Sequence, residues 1–254
     1  MITEPLFYLI AVPAILVAGI SKGGFGGGVG LLAVPAMALV VPPLQAAGIM
    51  LPLLCLMDLF GLHAYRGSWD RPNMAVILPA ALSGIALGTL SAGVLEEHHI
   101  RLLVGVIAVS FTADHWLGRR GREAARPRNL VKGGLWGVVS GFTSFLAHAG
   151  GPPISVYLLP LRLDKTVFVG TTVVYFAAVN YAKLAPYAWL GQLGPVNLMT
   201  ALVLSPLAPV GIWLGLWLHT RISPELFYKV CYSFVFVAGC KLLYDGLAPS
   251  FGGA

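Results

Sequence analysis

Charged residues are scarce in this 254-residue chain, at 10% of the sequence. A soluble domain usually carries about 25%. Hydrophobic residues make up 57% of the chain and the mean hydropathy is +0.83, so lipid must cover much of the surface. The apolar segments recur along the whole length, which predicts that the entire chain forms a membrane domain.

Motifs of common enzyme classes are missing as well. The sequence contains no GxxxxGK[ST] or HExxH pattern, which argues against ATP hydrolysis and a zinc enzyme. Cys55, Cys231 and Cys240 are odd in number and lack CxxC spacing, so we expect small buried residues rather than a disulfide or a metal site. The sequence therefore predicts neither an enzyme nor a cofactor.

The basic residues give a formal charge of +6, and their distribution argues against a nucleic-acid partner. Many of them cluster in and beside the loop 119–129, between hydrophobic spans. The positive-inside rule places such a cluster on the cytoplasmic side, so we expect this loop in the cytoplasm and both termini outside. The start, residues 1–5, lacks the basic region of a cleavable signal peptide, and we expect the first span to be retained. Six of the sixteen basic residues lie in or beside this loop: Arg119, Arg120, Arg122, Arg126, Arg128 and Lys132.

Hydropathy predicts ten apolar segments, and about 20 helical residues are needed to cross the hydrocarbon core. The segment 151–161 is too short to cross, at about 1.5 Å per residue. Charge counting leaves open whether the first and second segments, and likewise the sixth and seventh, cross fully or form re-entrant hairpins. The ten segments are 5–21, 25–41, 44–62, 73–95, 100–118, 130–147, 151–161, 167–188, 195–218 and 226–245.

The two halves of the chain are related. We predict a first membrane repeat at 1–118, a basic linker at 119–129 and a second repeat at 130–254. Since each half has five segments, the second repeat enters inverted, as in secondary transporters whose site lies near the midplane. The expected fold is an all-α polytopic membrane protein of two inverted repeats. Gly19, Gly48 and Asp58 align with Gly141, Gly170 and Asn180, 122 residues later, and Pro79, Gly84 and Gly88 align with Pro206, Gly211 and Gly215, 127 residues later.

Glycine-rich breaks occur at matching places, 21–28 and 147–153. A broken helix exposes backbone amides, and a helix N-terminus at such a break attracts anions. Lys22 and His148 add cationic or donor capacity with no acid nearby, so we expect an anion to bind between the breaks. The glycines of the GxxxG pairs at 84–88 and 211–215 are instead expected to serve helix packing. The predicted substrate-binding residues are Lys22, Gly23, Gly24, Gly26, Gly27, Gly28, His148, Gly150, Gly151, Thr171, Thr172 and Asn180.

Asp58 and Asn180 form the matching polar pair of the third and eighth segments. A carboxylate at mid-membrane costs about 2.5–3.5 kcal/mol on insertion scales, so Asp58 should face the protein interior. It either carries a coupling proton, orients Lys22, or pairs locally near the end of its span. The predicted coupling or gating residues are Asp58, His148, Tyr175 and Lys183. The remaining histidines are expected to be solvated near membrane interfaces: His63, His98, His99, His115 and His219.

Over nearly its whole length the sequence resembles the TauE/SafE family, the sulfite exporter-like membrane permeases. The resemblance implies an inner-membrane carrier that exports sulfite or a related small sulfur-containing or organic anion, and two inverted Gly-rich repeats. The stretch 147–153 replaces a fuller glycine string, which makes His148 a candidate for substrate selection. The residues that carry the resemblance are 19–28, 34–35, 51–52, 57–58, 141–145, 147–153, 157–160, 170–172 and Asn180.

These features favour the hypothesis that the protein transports a small anion across the cytoplasmic membrane by alternating access. Within transport, the alternative is an importer or a channel-like permease for a sulfonate or a carboxylate. Outside transport, the alternative is a membrane enzyme or an assembly factor. The expected partners are the anion and the lipid bilayer, and a homodimer is left open.

Overall fold

The computed structural model describes residues 1–27, 30–91, 97–117 and 125–251, and the described part is helical without strands. Two 3-10 turns, Gly30–Leu32 and Leu159–Leu161, accompany the α-helices. The α-helices are α1 (Pro5–Phe25), α2 (Ala33–Met37), α3 (Pro43–Ala64), α4 (Arg71–Leu90), α5 (Glu97–Leu117), α6 (Leu130–Ala147), α7 (Gly151–Leu158), α8 (Lys165–Trp189), α9 (Pro195–Leu204), α10 (Leu207–Arg221) and α11 (Pro224–Phe251).

Seven helices of the described part are long and apolar enough to cross a membrane: α1, α3, α4, α5, α6, α8 and α11. The helices α9 and α10 meet at a bend of 46° and make an eighth span if they count as one. The break falls at Ser205 and Pro206, where proline cannot donate a backbone hydrogen bond. The prediction of an all-α polytopic membrane protein is confirmed.

The second and seventh apolar segments, 25–41 and 151–161, form only short helices. The helix α2 has 5 residues and α7 has 8, which gives about 8 and 12 Å of helix against a hydrocarbon core of about 30 Å. The segment 151–161 is therefore too short to cross, as predicted. Its first-half counterpart contributes its first residue to α1, which continues to Phe25, and its own α-helix α2 is short as well.

The described helices form two compact units. The first unit comprises residues 1–69 and 166–223, and the second comprises residues 70–165 and 224–254. Each unit therefore combines helices from both halves of the sequence. The division into repeats at 1–118 and 130–254, and the inversion of the second repeat, stay predictions.

Glycines bring helix backbones close together in both units. In the first unit, a Cβ on Gly19 of α1 would lie 2.8 Å from the Cα of Gly211 on α10. In the second unit, a Cβ on Gly84 of α4 would overlap the carbonyl oxygen of Val138 on α6, and one on Gly141 of α6 would overlap α4. The offsets of 122 and 127 residues relate Gly19 to Gly141 and Gly211 to Gly84. The packing interpretation of the two GxxxG pairs is thus confirmed at their first glycines.

Candidate functional site

Three polar side chains meet inside the first unit, and we call them the polar centre: Lys22, Asp58 and Asn180. Asp58 on α3 is fully buried, while Lys22 on α1 and Asn180 on α8 are 5% and 3% exposed. The Nζ of Lys22 lies 2.8 Å from Oδ1 of Asp58, and Nδ2 of Asn180 donates to Oδ2 at 2.8 Å. Both oxygens of the carboxylate therefore face a nitrogen donor, each from a different helix.

The geometry of the polar centre tests two predictions, one about Asp58 and one about Lys22. Asp58 does face the protein interior, as predicted. The expectation that Lys22 has no acid nearby is wrong, because the fold brings α3 against α1 and places the carboxylate beside the ammonium. Lys22 also donates to the carbonyl oxygen of Leu54 at 3.4 Å. Of the three alternatives for Asp58, the geometry favours the one in which it orients Lys22.

The position of Lys22 within α1 favours its positive charge. Lys22 lies in the last turn of the helix, and the partial negative charge of a helix C-terminus stabilises a cation there. A buried ion pair compensates its desolvation only when its remaining hydrogen-bonding groups are also satisfied, which Asn180 and Leu54 help to do. An ionisable group within membrane-spanning helices is a functional candidate by default, so we take the polar centre as the candidate site.

The other predicted residues of α8 are also buried: Thr171, Thr172, Tyr175 and Lys183. The hydroxyl of Thr171 donates to the carbonyl oxygen of Val167 at 2.6 Å, and that of Thr172 donates to Val169 at 2.8 Å. Both threonine protons are therefore used within the helix, so neither hydroxyl offers its proton to a ligand. Lys183 follows Asn180 by three residues, which places it on the same face of α8.

The described part of the glycine run, residues 21–27, lies at the end of a helix. Residues 21–25 belong to α1, and Gly26 and Gly27 follow with φ of 75° and 84°. The N–H of Gly27 donates to the carbonyl oxygen of Ser21 at 2.9 Å, which is a helix C-cap. Where we expected a helix N-terminus, the described part of the run therefore forms a helix C-terminus, and the amide of Gly27, which we predicted for the anion, serves the cap. Gly28 lies outside the described residues.

The glycines of this run also have packing roles. A Cβ on Gly23 would lie 2.6 Å from the carbonyl oxygen of Ile212, and one on Gly24 would lie equally close to that of Gly215. Such contacts with backbone atoms leave no room for a side chain. Gly23 and Gly24 therefore allow α1 to approach α10, and packing accounts for the absence of side chains at both positions.

The matching stretch of the second unit repeats this cap. The helix α6 ends at Ala147, His148 is half-buried with φ of 50°, and the N–H of Ala149 donates to Thr143 at 3.1 Å. His148 thus occupies the left-handed position that Gly26 holds in the first half, although a side chain is disfavoured there. A helix does begin here, at Gly151, but Pro152 and Pro153 lack N–H groups. Its N-terminus therefore offers fewer donors than we expected.

Comparison with known families identifies the chain. A family model described as "Sulfite exporter TauE/SafE" matches residues 11–242, which include the polar centre and both capped breaks. The chain belongs to this family. It is therefore a member of a family of membrane transporters, in agreement with its long apolar helices. No curated protein and no solved structure matches it.

In this TauE/SafE protein, two further side chains bond backbone carbonyls at the end of α1. Neither was predicted from the sequence. The hydroxyl of Tyr65 donates to the carbonyl oxygen of Gly23 at 2.6 Å, and burial raises the pKa of this phenol, so it stays a donor. The Nδ1 of His219 lies 3.0 Å from the carbonyl oxygen of Gly24. Because a carbonyl only accepts, Nδ1 carries the proton, and in the neutral ring Nε2 accepts from the Thr166 hydroxyl 3.3 Å away.

These contacts correct one expectation and reveal a missed signal. The solvated role predicted for His219 is wrong, because its side chain is buried and bonds the backbone of α1. A signal for Tyr65 was present in the sequence. Tyr65 follows Asp58 by seven residues, about two helical turns, and a helix that continued this far would carry both side chains on the same face.

Replacing Tyr65 by phenylalanine should lower the free energy of unfolding by about 1–3 kcal/mol, because the carbonyl of Gly23 then loses its buried donor. Thermal denaturation of the purified protein measures the effect. Tyr244→Phe is the matched control, since Tyr244 is 70% exposed. Equal melting temperatures for the two variants would show that the hydrogen bond to α1 contributes nothing.

Proposed function

We propose that this protein is a secondary transporter that exports sulfite or a related small sulfur-containing or organic anion by alternating access. The polar centre is the observation that supports it, because a buried ammonium, carboxylate and amide within membrane-spanning helices have a high insertion cost that a transport role explains. Membership of a transporter family favours this proposal over a membrane enzyme or an assembly factor.

Lys22 is the proposed ligand of the anion. Its ammonium has three donors, and in the structure it lies beside Asp58 Oδ1 and donates to Leu54. An arriving oxyanion would replace Asp58 as the partner of Lys22, so the positive charge stays compensated whether or not substrate is bound. Asn180, which bonds Asp58 directly, would hold the displaced carboxylate in place.

The membrane potential is a sufficient driving force for export. A potential of 100 mV, negative inside, favours outward movement of an anion by about 2.3 kcal/mol per charge. A uniporter is therefore physically adequate. If a proton is coupled to transport, Asp58 is its proposed carrier, because protonation of the carboxylate would release Lys22 to the anion.

Sulfite efflux from proteoliposomes tests the proposal. Liposomes that contain the purified protein and are loaded with sulfite should release it with saturable kinetics, faster when the interior is negative. Lys22→Ala should lower the flux by about ten- to a hundredfold, the range expected for losing a hydrogen bond to a charged group. Lys229→Ala is the matched control, because this lysine is exposed on α11.

The same assay separates the alternatives. Flux that never saturates would indicate a channel, and normal flux in Lys22→Ala would show that the polar centre is not the binding site. A panel of sulfite, sulfate, thiosulfate and sulfoacetate, loaded on either side, identifies substrate and direction. His148→Ala in the same panel tests the proposed role of His148 in substrate selection, which predicts an altered order of preference.

A further inference from the structure

A cavity of about 190 Å³ opens at the start of α6 in the second unit. We call it the basic pocket, and define it by five of its lining residues: Arg126, Arg128, Lys132, Trp136 and Tyr157. It contains none of the residues of the polar centre. The cations come from the end of the basic linker and the first turn of α6, while the aromatic rings come from α6 and α7.

Backbone and side-chain hydrogen bonds fix the walls of the basic pocket. The N–H of Arg126 donates to the carbonyl oxygen of Pro160 at 2.9 Å, which holds the end of the linker against the 3-10 turn that follows α7. The hydroxyl of Tyr157 donates to Oδ1 of Asn73 at 2.6 Å. Its proton is therefore used by α4, and the ring forms a fixed wall. A pocket with such walls needs little rearrangement to receive a ligand.

The positive charge of the basic pocket favours an anionic ligand. Arg126, Arg128 and Lys132 have exposed side chains, and among the residues that the structure describes none of the three forms an ion pair. The first turn of α6 has no acidic residue. Guanidinium groups match the oxygens of a phosphate with two parallel hydrogen bonds, and an ammonium adds a point charge.

The surface of α6 beside the basic pocket is apolar. Leu130, Val131 and Leu135 are 59%, 80% and 58% exposed, on a helix long and apolar enough to cross a membrane. A soluble phosphate ester would gain nothing from these side chains, whereas acyl chains would lie along them. Basic pockets at the ends of transmembrane helices bind anionic lipid headgroups. We propose that the basic pocket binds the phosphate of an anionic phospholipid, with its acyl chains against Leu130, Val131 and Leu135.

Native mass spectrometry of the purified full chain with added dioleoylphosphatidylglycerol tests this proposal. Each cation near a membrane surface strengthens binding by about fivefold. The Arg126→Gln/Arg128→Gln/Lys132→Gln variant should therefore bind this lipid about a hundredfold more weakly than the wild-type protein. The matched control is Arg66→Gln/Arg221→Gln/Lys229→Gln, which removes three exposed cations outside the pocket and should bind as the wild type does.

The proposal would be overturned by unchanged lipid binding in the pocket variant or by an equal loss in the control variant. Equal binding of dioleoylphosphatidylcholine would also overturn it. Displacement of the lipid by equimolar glycerol 3-phosphate would identify a soluble ligand instead.

A charge-preserving Arg126→Lys/Arg128→Lys variant tests whether misfolding causes the loss of binding. It should bind at least about ten times more tightly than the glutamine variant, since it keeps all three charges. A loss as large as that of the glutamine variant would likewise contradict a charge-based site.

Discussion

Replacing Lys22 by methionine should lower the free energy of unfolding by about 3–5 kcal/mol, the range for removing one partner of a buried ion pair. The carboxylate of Asp58, which is fully buried, would keep the amide of Asn180 but lose the ammonium 2.8 Å away. Titration with SDS, followed by tryptophan fluorescence, measures the unfolding. Lys229→Met is the control, because it removes an exposed lysine and should leave the unfolding midpoint unchanged.

A second substitution separates stability from transport. Lys22→Met/Asp58→Leu should recover most of the lost stability, because apolar residues often replace a buried ion pair without loss. The double-mutant cycle then gives the coupling energy between the two side chains. The recovered protein should nevertheless release sulfite about ten- to a hundredfold more slowly than the wild type, since it lacks the proposed ligand. A double variant that is stable and transports at the wild-type rate would show that the polar centre is structural.

The helices that cross the membrane were predictable from composition and length. The predicted segment 130–147 coincides with α6, and 44–62 lies within α3. This success has a physical reason, because lipid offers no partner for backbone amides and a long apolar run has little choice but to form a helix. Hydropathy does not report how such helices pair, so the combination of both sequence halves in each compact unit could not be predicted from it.

The end of α1 was mispredicted because tertiary packing overrides local preference. A run of glycines disfavours a helix in isolation, yet residues 21–25 stay helical. The reason is that Gly23 and Gly24 lie against the backbone of α10, where a side chain would clash with Ile212 or Gly215. The preference of the local sequence for a break therefore indicated the right region, and only the contact with α10 determines that the helix continues to Phe25.

The candidate site was predicted in part. Aligning the two halves selected Asp58 and Asn180 as equivalent polar residues, and the structure shows them bonded to each other. The pairing of Lys22 with Asp58 was only one of three alternatives left open, because the two residues lie on different helices and no local pattern fixes the rotation of α1 relative to α3. Local patterns also cannot indicate His219, which reaches the end of α1 from α10.

Replacing Gly141 by alanine should destabilise the second unit by at least about 1–3 kcal/mol, the usual cost of overpacking. The new Cβ would overlap the carbonyl oxygen of Ala81 and lie 2.7 Å from its carbonyl carbon. These are backbone atoms of α4, which cannot yield by a change of rotamer. The helices α4 and α6 would have to separate, and buried contacts along both would be lost.

Gly134→Ala provides the matched control on the same helix. Among the described residues, no atom outside the backbone of α6 lies within 4 Å of a Cβ built on Gly134. This variant should therefore keep its stability or gain up to about 1 kcal/mol from the better helix propensity of alanine. Thermal denaturation of the two variants side by side compares the same chemical change in the same helix, with and without a backbone neighbour. Because the two differ only in this neighbour, equal melting temperatures would mean that α4 and α6 do not approach each other through Gly141, and the packing role of this glycine would be wrong.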